Sequence, residues 1–495
     1  MTGPLNRRVT TPANGVELTR LRDYFVPLLM RNIATDGYPF IDPAVLGGNE
    51  SDPQQALSKP GCVIASPSFR DALPEISQNY VFNWVRDAAI VALELAAASL
   101  PALPSTLSDV LDDYVSFAAL CQSAAPTELD RAKYTISGRL VEGWPRQNDG
   151  PALQGLALLA LFDQLSESAK NTARNLLRAD LAFVLAHYQQ HNTNVWEEVD
   201  GQSLFTRSVQ LRFLRAIGAD DKGAGVPAAD LATATTWLAD RIADHVDNDR
   251  YVSILEPGNP RADYDPNADV IAACIYGAIP PTDPVLLNTA AALRHTFTEG
   301  NLYPINRADA QLGIGPLIGR YPGDVYDGFH VSADEPGATR GHPWVVCTAN
   351  YAELYYRLAA VVLRDRQVPD DPRATAFLTQ AGTSSAGGGS RDRAARRGGP
   401  DAPGDRLSQR PSRAQRAVPR GHRIREQRPE PELELRLVPV GAARPRPVLS
   451  GLAVTRTSSR DGPARPRRGS RGIRPCRAGR PTDSFPSPAP RTIRR

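Results

Sequence analysis

Two adjacent acidic residues, Glu197 and Glu198, lie within the segment NVWEEVDGQSLFTRSVQ of residues 194–210. Paired acids in a protein are most often a solvated surface. Here, however, Trp196 precedes the pair, and Gly201 provides a turn ahead of an apolar stretch. A carboxyl group beside an aromatic ring is partly desolvated, which favours its protonated form and suits it to general acid catalysis. Because adjacent residues point in different directions, we expect one acid and one substrate ligand from the pair.

A second segment, YVFNWVRDAAI of residues 80–90, places arginine and aspartate beside tryptophan. The simplest interpretation of Arg86 and Asp87 is a charge pair in the first turn of a helix, where an acidic residue interacts favourably with the helix dipole. The alternative is that the guanidinium fork and the carboxylate bind sugar hydroxyls while Trp84 stacks on a pyranose face. Both interpretations place the cluster at the start of a helix.

Two further clusters have the same character. EGWPRQNDGPALQ (residues 142–154) contains Trp144, and GRYPGDVY (residues 319–326) contains Arg320 and is followed by GHPWVVCTANYAELYY (residues 341–356). One such loop is weak evidence of function. Four loops in one chain, each with an aromatic residue and hydrogen-bonding partners, predict a carbohydrate site with several subsites.

The elements that must position these loops are helices. Stretches rich in alanine and leucine predict helices at residues 86–99, 151–165, 203–216, 231–245 and 344–363, separated by polar or glycine- and proline-containing connectors. Their apolar residues surround much of each helix, so we expect them to be buried between neighbours. Buried helices joined by loops that contain the candidate site residues predict an all-α fold, a helical barrel with the site at one end.

The motif order NWVRDAA, GWPRQNDGPAL, NVWEEVDG, GRYPGDVY and GHPWVVCT resembles glycoside hydrolase family 15, the glucoamylases, over residues 61–363. The resemblance implies a six-hairpin (α/α) barrel of six inner and six outer helices. It also implies release of glucose from the non-reducing ends of α-glucans or malto-oligosaccharides, with inversion at the anomeric carbon. Trehalose and α-1,6-linked glucans are alternative substrates within the family. We expect no cofactor and no metal.

The resemblance also assigns roles to individual residues. Glu197 resembles the catalytic acid of the family. The remaining predicted site residues resemble its substrate-binding positions, with Arg86 and Asp87 holding the terminal glucose: Trp84, Arg86, Asp87, Trp144, Trp196, Glu198 and Arg320. The chain departs from fungal members at one place, where they read Trp-Gly-Arg-Pro-Gln and residues 144–147 here read Trp-Pro-Arg-Gln.

Composition changes sharply near residue 380. Residues 381–495 contain 27 Arg, no Lys and nine acidic residues, a net charge of +18, whereas residues 1–380 have a net charge of −15. The acidic body argues against nucleic acid or an anionic membrane as a partner. The tail is rich in Arg, Pro and Gly with Phe485 as its single aromatic residue, so we expect it to be disordered. We therefore predict a hydrolase domain over residues 1–380 and a separate tail.

An inverting glycosidase also needs a catalytic base, with its carboxyl group about 6.5–9.5 Å from that of the acid. The resemblance implies a late Ser-Glu-Gln segment followed by Trp-Ser-Tyr-Ala, and neither occurs after residue 366. With the codons shifted forward by one base, the genetic code permits AIVYHSDRLELSEQF over residues 404–418 and EDTGYESSAQNLSWSYA over residues 420–436. We infer a frameshift between about residues 378 and 394, which leaves the barrel incomplete at its C-terminal end.

The frameshift also decides between two interpretations of the tail. An arginine-rich arm could bind RNA through phosphate contacts, but out-of-frame translation of GC-rich DNA gives the same composition. The Ser-Glu-Gln and Trp-Ser-Tyr-Ala segments that the shifted frame permits favour out-of-frame translation. As written, the chain is closer to a non-catalytic carbohydrate-binding pseudoenzyme than to an active hydrolase.

Other features bear on the compartment. The N-terminal residues 1–21 contain no apolar core of a signal peptide, and no stretch reaches the length of a membrane span. The five cysteines are odd in number and form no CxxC pair, and we expect Cys121 and Cys347 to be small buried thiols. These features favour a reducing, cytoplasmic location. No feature of the sequence indicates an oligomeric state.

Overall fold

The computed structural model describes residues 15–41, 57–67, 80–98, 106–255, 263–298, 315–327 and 334–381, with a few single residues between 303 and 332. All described residues belong to one compact unit. The predicted tail lies outside the described residues apart from Ala381. Its expected disorder and its shifted reading frame therefore stay predictions.

Helices dominate the described residues, as the sequence predicts. They are α1 (Gly15–Met30), α2 (Val85–Ala97), α3 (Thr106–Ala124), α4 (Asp149–Leu161), α5 (Glu167–His187), α6 (Leu204–Ala219), α7 (Ala228–Ala243), α8 (Asp269–Ile275), α9 (Pro284–Thr298), α10 (Val345–Asp365) and α11 (Thr375–Gln380). Two short 3₁₀ turns, Phe162–Gln164 and Pro372–Ala374, extend α4 and precede α11. None of these described helices combines the length and the apolar character that crossing a membrane requires.

The strands are two to four residues long and serve to fix loops at helix ends. β1 (Asn83–Trp84) pairs antiparallel with β2 (Lys133–Tyr134) directly before α2 begins. β4 (Asp200–Ser203) pairs with β3 (Asn192–Thr193) and β7 (Ile254–Leu255) directly before α6 begins, and β5 (Val246–Asp247) pairs with β6 (Arg250–Tyr251). The ladders thus hold the two segments that contain the predicted site residues.

Alternate helices pack against one another in sequence. α2 packs on α4, α4 on α6, α6 on α8 and α8 on α10, which forms a row of inner helices, while α3, α5 and α7 pack along the outside. α4 is buried almost all round, as its apolar composition predicts. A side chain at Gly155 would place its Cβ 2.2 Å from the ring of Phe213, so this glycine permits the close approach of α4 and α6.

The predicted helix boundaries agree with the structure to within a few residues. The stretch predicted at 86–99 is Val85–Ala97, and that predicted at 203–216 is Leu204–Ala219. The Ser203 hydroxyl accepts a hydrogen bond from the Thr206 amide at 3.3 Å and caps α6. Pro151 lies in the first turn of α4, where its missing N–H leaves no helical bond unmade.

One face of α10 is apolar and exposed. Val345, Tyr356 and Leu363 are 89%, 58% and 52% exposed. Six of the exposed positions on this helix are spaced three to four residues apart, which places them on one face: Val345, Ala349, Ala352, Tyr356, Ala360 and Leu363. Such a stripe is typical of a helix that packs against another helix. Among the described residues, the stripe has no such partner.

Candidate active site

A cavity of about 970 Å³ lies at the end of the inner helices where α2 and α4 begin. This volume is within the range of small-molecule sites. The eight residues predicted from the sequence all line it: Trp84, Arg86, Asp87, Trp144, Trp196, Glu197, Glu198 and Arg320. The structure therefore brings together every predicted site residue.

The acidic pair lies on a turn between β3 and β4 that Asn194 organises. Glu197 has a φ of +64°, in the left-handed region, which costs a side-chain-bearing residue about 1–2 kcal/mol. The buried Asn194 compensates, since its carbonyl accepts the Glu197 amide at 2.9 Å and its Oδ1 accepts the Glu198 and Val199 amides at 3.1 and 3.2 Å. The strained turn gives the two carboxyl groups different surroundings.

Only one oxygen of Glu197 is engaged. Its Oε1 accepts a hydrogen bond from Trp144 Nε1 at 3.2 Å and lies 3.4 Å from a terminal nitrogen of Arg86. Its Oε2 has no hydrogen-bond partner among the described residues. The side chain is 21% exposed and lines the cavity, so the unpaired oxygen is available to exchange a proton with a bound molecule.

Both oxygens of Glu198 are engaged. Oε1 accepts a hydrogen bond from Arg320 at 2.7 Å, and Oε2 accepts one from the Tyr321 hydroxyl at 2.5 Å. A carboxylate that accepts two such bonds is fixed as an acceptor. The geometry thus separates the adjacent acids into one carboxyl with a free oxygen and one that is fully bonded.

Arg320 is a buried, fixed cation beside the cavity. It is 3% exposed and donates to both oxygens of Asp324, at 2.8 and 2.5 Å. Burial alone would lower the pKa of Arg320, but the carboxylates of Asp324 and Glu198 hold it above its ordinary value. Trp344 Nε1 also donates to Asp324, at 3.1 Å, so the cation and its counter-ion are locked in place.

Arg86 is held by carboxylates rather than free in the cavity. One terminal nitrogen lies 3.0 Å from Asp149 on α4, the other lies 3.4 Å from Glu197, and Nε lies 3.8 Å from Asp87. Asp149 is 1% exposed, so it anchors the guanidinium from behind. Asp87 keeps 39% of its side chain exposed and remains available to a ligand.

The three predicted tryptophans differ in how much of their rings they present. Trp84 is 5% exposed and contacts Trp144 edge to face, with ring centroids 5.5 Å apart. Trp144 and Trp196 are half-buried, and Trp196 Nε1 donates to Asn267 at 2.9 Å. Trp144 and Trp196 are thus the tryptophans with the more accessible surface.

Sequence reasoning missed several residues of the site. The additional polar and aromatic residues that line the cavity are Tyr80, Phe205, Tyr276, Tyr321, Tyr326, Trp344 and Asn350. Most of them lie inside the four segments already singled out, so their aromatic character was the available signal. Asn194, Asp149 and Asp324 lie behind the cavity. The described residues contain no cluster of three or more His, Cys, Asp or Glu side chains placed to hold a metal.

Alternating inner and outer helices with a carboxyl-lined and aromatic-walled cavity at one end define a helical barrel of the carbohydrate-active type. Residues 51–390 match the family model described as glycosyl hydrolases family 15. The chain belongs to this family, and the assignment predicted from its motif order is confirmed.

Curated relatives give the same result. The chain is 27% identical over 326 residues to a probable glucoamylase of Schizosaccharomyces pombe, covering 61% of this chain and 65% of that protein. It is 28% identical over 342 residues to glucoamylase S1 of Saccharomyces cerevisiae, covering 60% of this chain and 42% of that protein. The chain thus spans less than two thirds of the length of these relatives.

Solved structures of similar fold include a glucoamylase from Saccharomycopsis fibuligera, with a TM-score of 0.56 and 22% identity over 71% of this chain and 74% of that one. A Hormoconis resinae glucoamylase gives a TM-score of 0.56 and 24% identity over 73% and 60% of the two chains. At this level of identity the likeness concerns the fold alone. The predicted all-α helical barrel is confirmed.

Proposed function

We propose that the chain, in its intact reading frame, is an inverting exo-acting hydrolase that releases glucose from the non-reducing ends of α-glucans or malto-oligosaccharides. The observation that carries the proposal is the Glu197 carboxyl, with one oxygen held by Trp144 and Arg86 and the other unpaired in the cavity. The glucoamylase names of the curated relatives support the substrate class.

In the proposed reaction Glu197 transfers its proton to the glycosidic oxygen as the bond from that oxygen to the anomeric carbon breaks. The departing sugar leaves as a neutral alcohol, and positive charge develops on the glucosyl ring. A water molecule attacks the opposite face and loses a proton to the base, which gives the inverted product. Glu198, Arg320 and Asp87 supply fixed charges for the hydroxyls of the terminal glucose.

The described residues offer two other cavity-lining carboxyl groups, and neither suits the base. Glu198 is bonded to Arg320 and Tyr321 through both oxygens. Asp87 shares Arg86 with Glu197, so both lie on the same side of the site. We place the base at the glutamate that the shifted frame permits at the position of Arg416, and we interpret residues 381–495 as out-of-frame translation.

The apolar stripe on α10 supports an interrupted barrel. It runs the length of the helix that ends the row of inner helices, and Val346 and Asn350 near its start line the cavity. A sixth inner helix beside α10 would bury the stripe and complete the cavity wall. As written, the chain lacks that helix among its described residues, which favours a sugar-binding protein of little or no turnover as the second candidate function.

The test uses NMR of glucose newly released from maltotriose by the frame-restored protein, made by deleting one base between codons 378 and 394. The proposal predicts that β-glucose appears first and later mutarotates. Initial α-glucose would contradict inversion. Trehalose and isomaltose measured in parallel decide the linkage, and calorimetry of maltotriose with the written chain tests for binding without turnover.

A further inference from the structure

The ammonium group of Lys133 lies in a cage of three aromatic rings. Its Nζ is 3.6 Å from the ring centroid of Trp144 and 4.3 Å from those of Phe82 and Trp84. The residue is 6% exposed. A cation over an aromatic face is stabilised by about 0.5–2 kcal/mol, with the larger values at desolvated sites, so the rings stabilise the ammonium group where it lies.

Backbone pairing builds the cage. Trp84 on β1 is the direct antiparallel partner of Lys133 on β2, which brings the two side chains together. Phe82 contacts Trp84 edge to face, and Trp84 contacts Trp144 in the same way. Trp84 and Trp144 line the cavity, whereas Lys133 and Phe82 do not. The ammonium therefore lies behind the tryptophan wall of the active site.

Lys133 Nζ has no hydrogen-bond acceptor among the described residues. The charge that favours its protonated form is that of Glu197, while burial lowers its pKa to about 8. The nearest segments also hold Arg86 and Asp87, which follow Trp84 on α2, and Glu142, which is paired with Arg131 at 3.5 Å. A buried ammonium with no acceptor is costly, and the rings and Glu197 are what offset that cost.

We propose that Lys133 is a positioning residue for the catalytic acid, fixing the plane of Trp144 so that its indole N–H donates to Glu197 Oε1. With Trp144 and Arg86 both directed at Oε1, the transferable proton is carried by Oε2, the oxygen left unpaired in the cavity. This inference rests on the acid role proposed for Glu197, but the cage itself can be tested without activity.

The first test is the intrinsic tryptophan fluorescence of the full chain as written, titrated from pH 6 to pH 10. We expect an emission change centred near pH 8 that is strongly reduced in Trp144→Phe. Lys133→Met should give the high-pH spectrum throughout, and Lys133→Arg the low-pH spectrum throughout. Lys170→Met, which removes an exposed ammonium paired with Glu167 at 2.8 Å, is the matched control and should retain the transition. A transition that persists in Lys133→Met would overturn the cage.

The second test is the kcat and KM of the frame-restored protein on maltotriose. Lys133→Met should lower kcat with little change in KM, because the acid loses its orientation while the sugar-binding groups stay in place. Lys133→Arg should retain most of kcat. An unchanged kcat in Lys133→Met, or a change in KM alone, would overturn the positioning role. If the fluorescence result holds and the restored enzyme is inert with every residue intact, the proposed function fails rather than the cage.

Discussion

The adjacent acids should respond differently to the same change, glutamate to glutamine, in the frame-restored protein. Glu197→Gln keeps the bonds at Oε1 but removes the transferable proton, so kcat should fall by about 10²–10⁴-fold while maltotriose still binds. Glu198→Gln weakens charge-assisted bonds to Arg320 and Tyr321. Such bonds contribute about 1.5–3 kcal/mol, so roughly a 10–150-fold loss should appear substantially in KM.

The assay is initial-rate glucose release from maltotriose, with an aryl glucoside as the internal control. The aryl leaving group needs no proton, so Glu197→Gln should retain much more activity on it than on maltotriose, whereas Glu198→Gln should lose similar activity on both. A retained kcat in Glu197→Gln with the large loss in Glu198→Gln would show that the two roles are reversed. Equal, mild effects in both variants would refute the glycosidase mechanism.

Three further predictions concern the scaffold. Burial raises the pKa of Asp269 to about 7, so its contribution to stability is full below about pH 4 and is lost as the pH rises to 7. Asp269→Asn should shrink the fall in the free energy of unfolding between pH 4.5 and 7.5 by at most about 4 kcal/mol, which is seen as a smaller fall in Tm. An unchanged fall in Tm would contradict this. Asn194→Ala removes the Oδ1 atom that accepts the Glu198 and Val199 amides and should lower kcat of the frame-restored protein, whereas Asn194→Asp should retain more activity. Equal kcat in both variants would refute the role of Asn194 in holding this turn. Tyr356→Lys with Leu363→Lys should reduce self-association of the written chain in light scattering, with Lys170→Glu, outside α10, as the control. Undiminished scattering would show that self-association does not use the α10 stripe.

Local sequence predicts the site well because its residues lie in short segments that begin helices. The apolar runs locate α2, α4, α6, α7 and α10. All eight predicted cavity residues lie in the polar segments before these helices or in the first turn of α2. The left-handed backbone at Glu197, in contrast, could not be predicted from the local sequence. It follows from the pairing of β3 with β4 and from the bonds of a buried Asn194, which no local pattern indicates.

Residues that act from behind the cavity wall were not predictable for a similar reason. Lys133 gains its role only from the pairing of β1 with β2, which places it beside Trp84. From the sequence alone, Asp149 is a typical acidic residue at a helix N-terminus, and its ion pair with Arg86 at 3.0 Å depends on the fold. Helix α5 has a large polar fraction, so its burial depends on α3 and α4 rather than on its own composition. In each case the residue's role or the helix's burial depends on contacts with residues that are distant in the sequence.

The central proposal is that the intact reading frame encodes an inverting hydrolase and that the written chain lacks the catalytic base. Its most direct test is the rate of glucose release from maltotriose by the written chain and by the chain with one base deleted between codons 378 and 394. The restored protein should exceed the written one by about 10²–10⁴-fold, the usual contribution of a general base. Comparable, robust release by the written chain would contradict the claim.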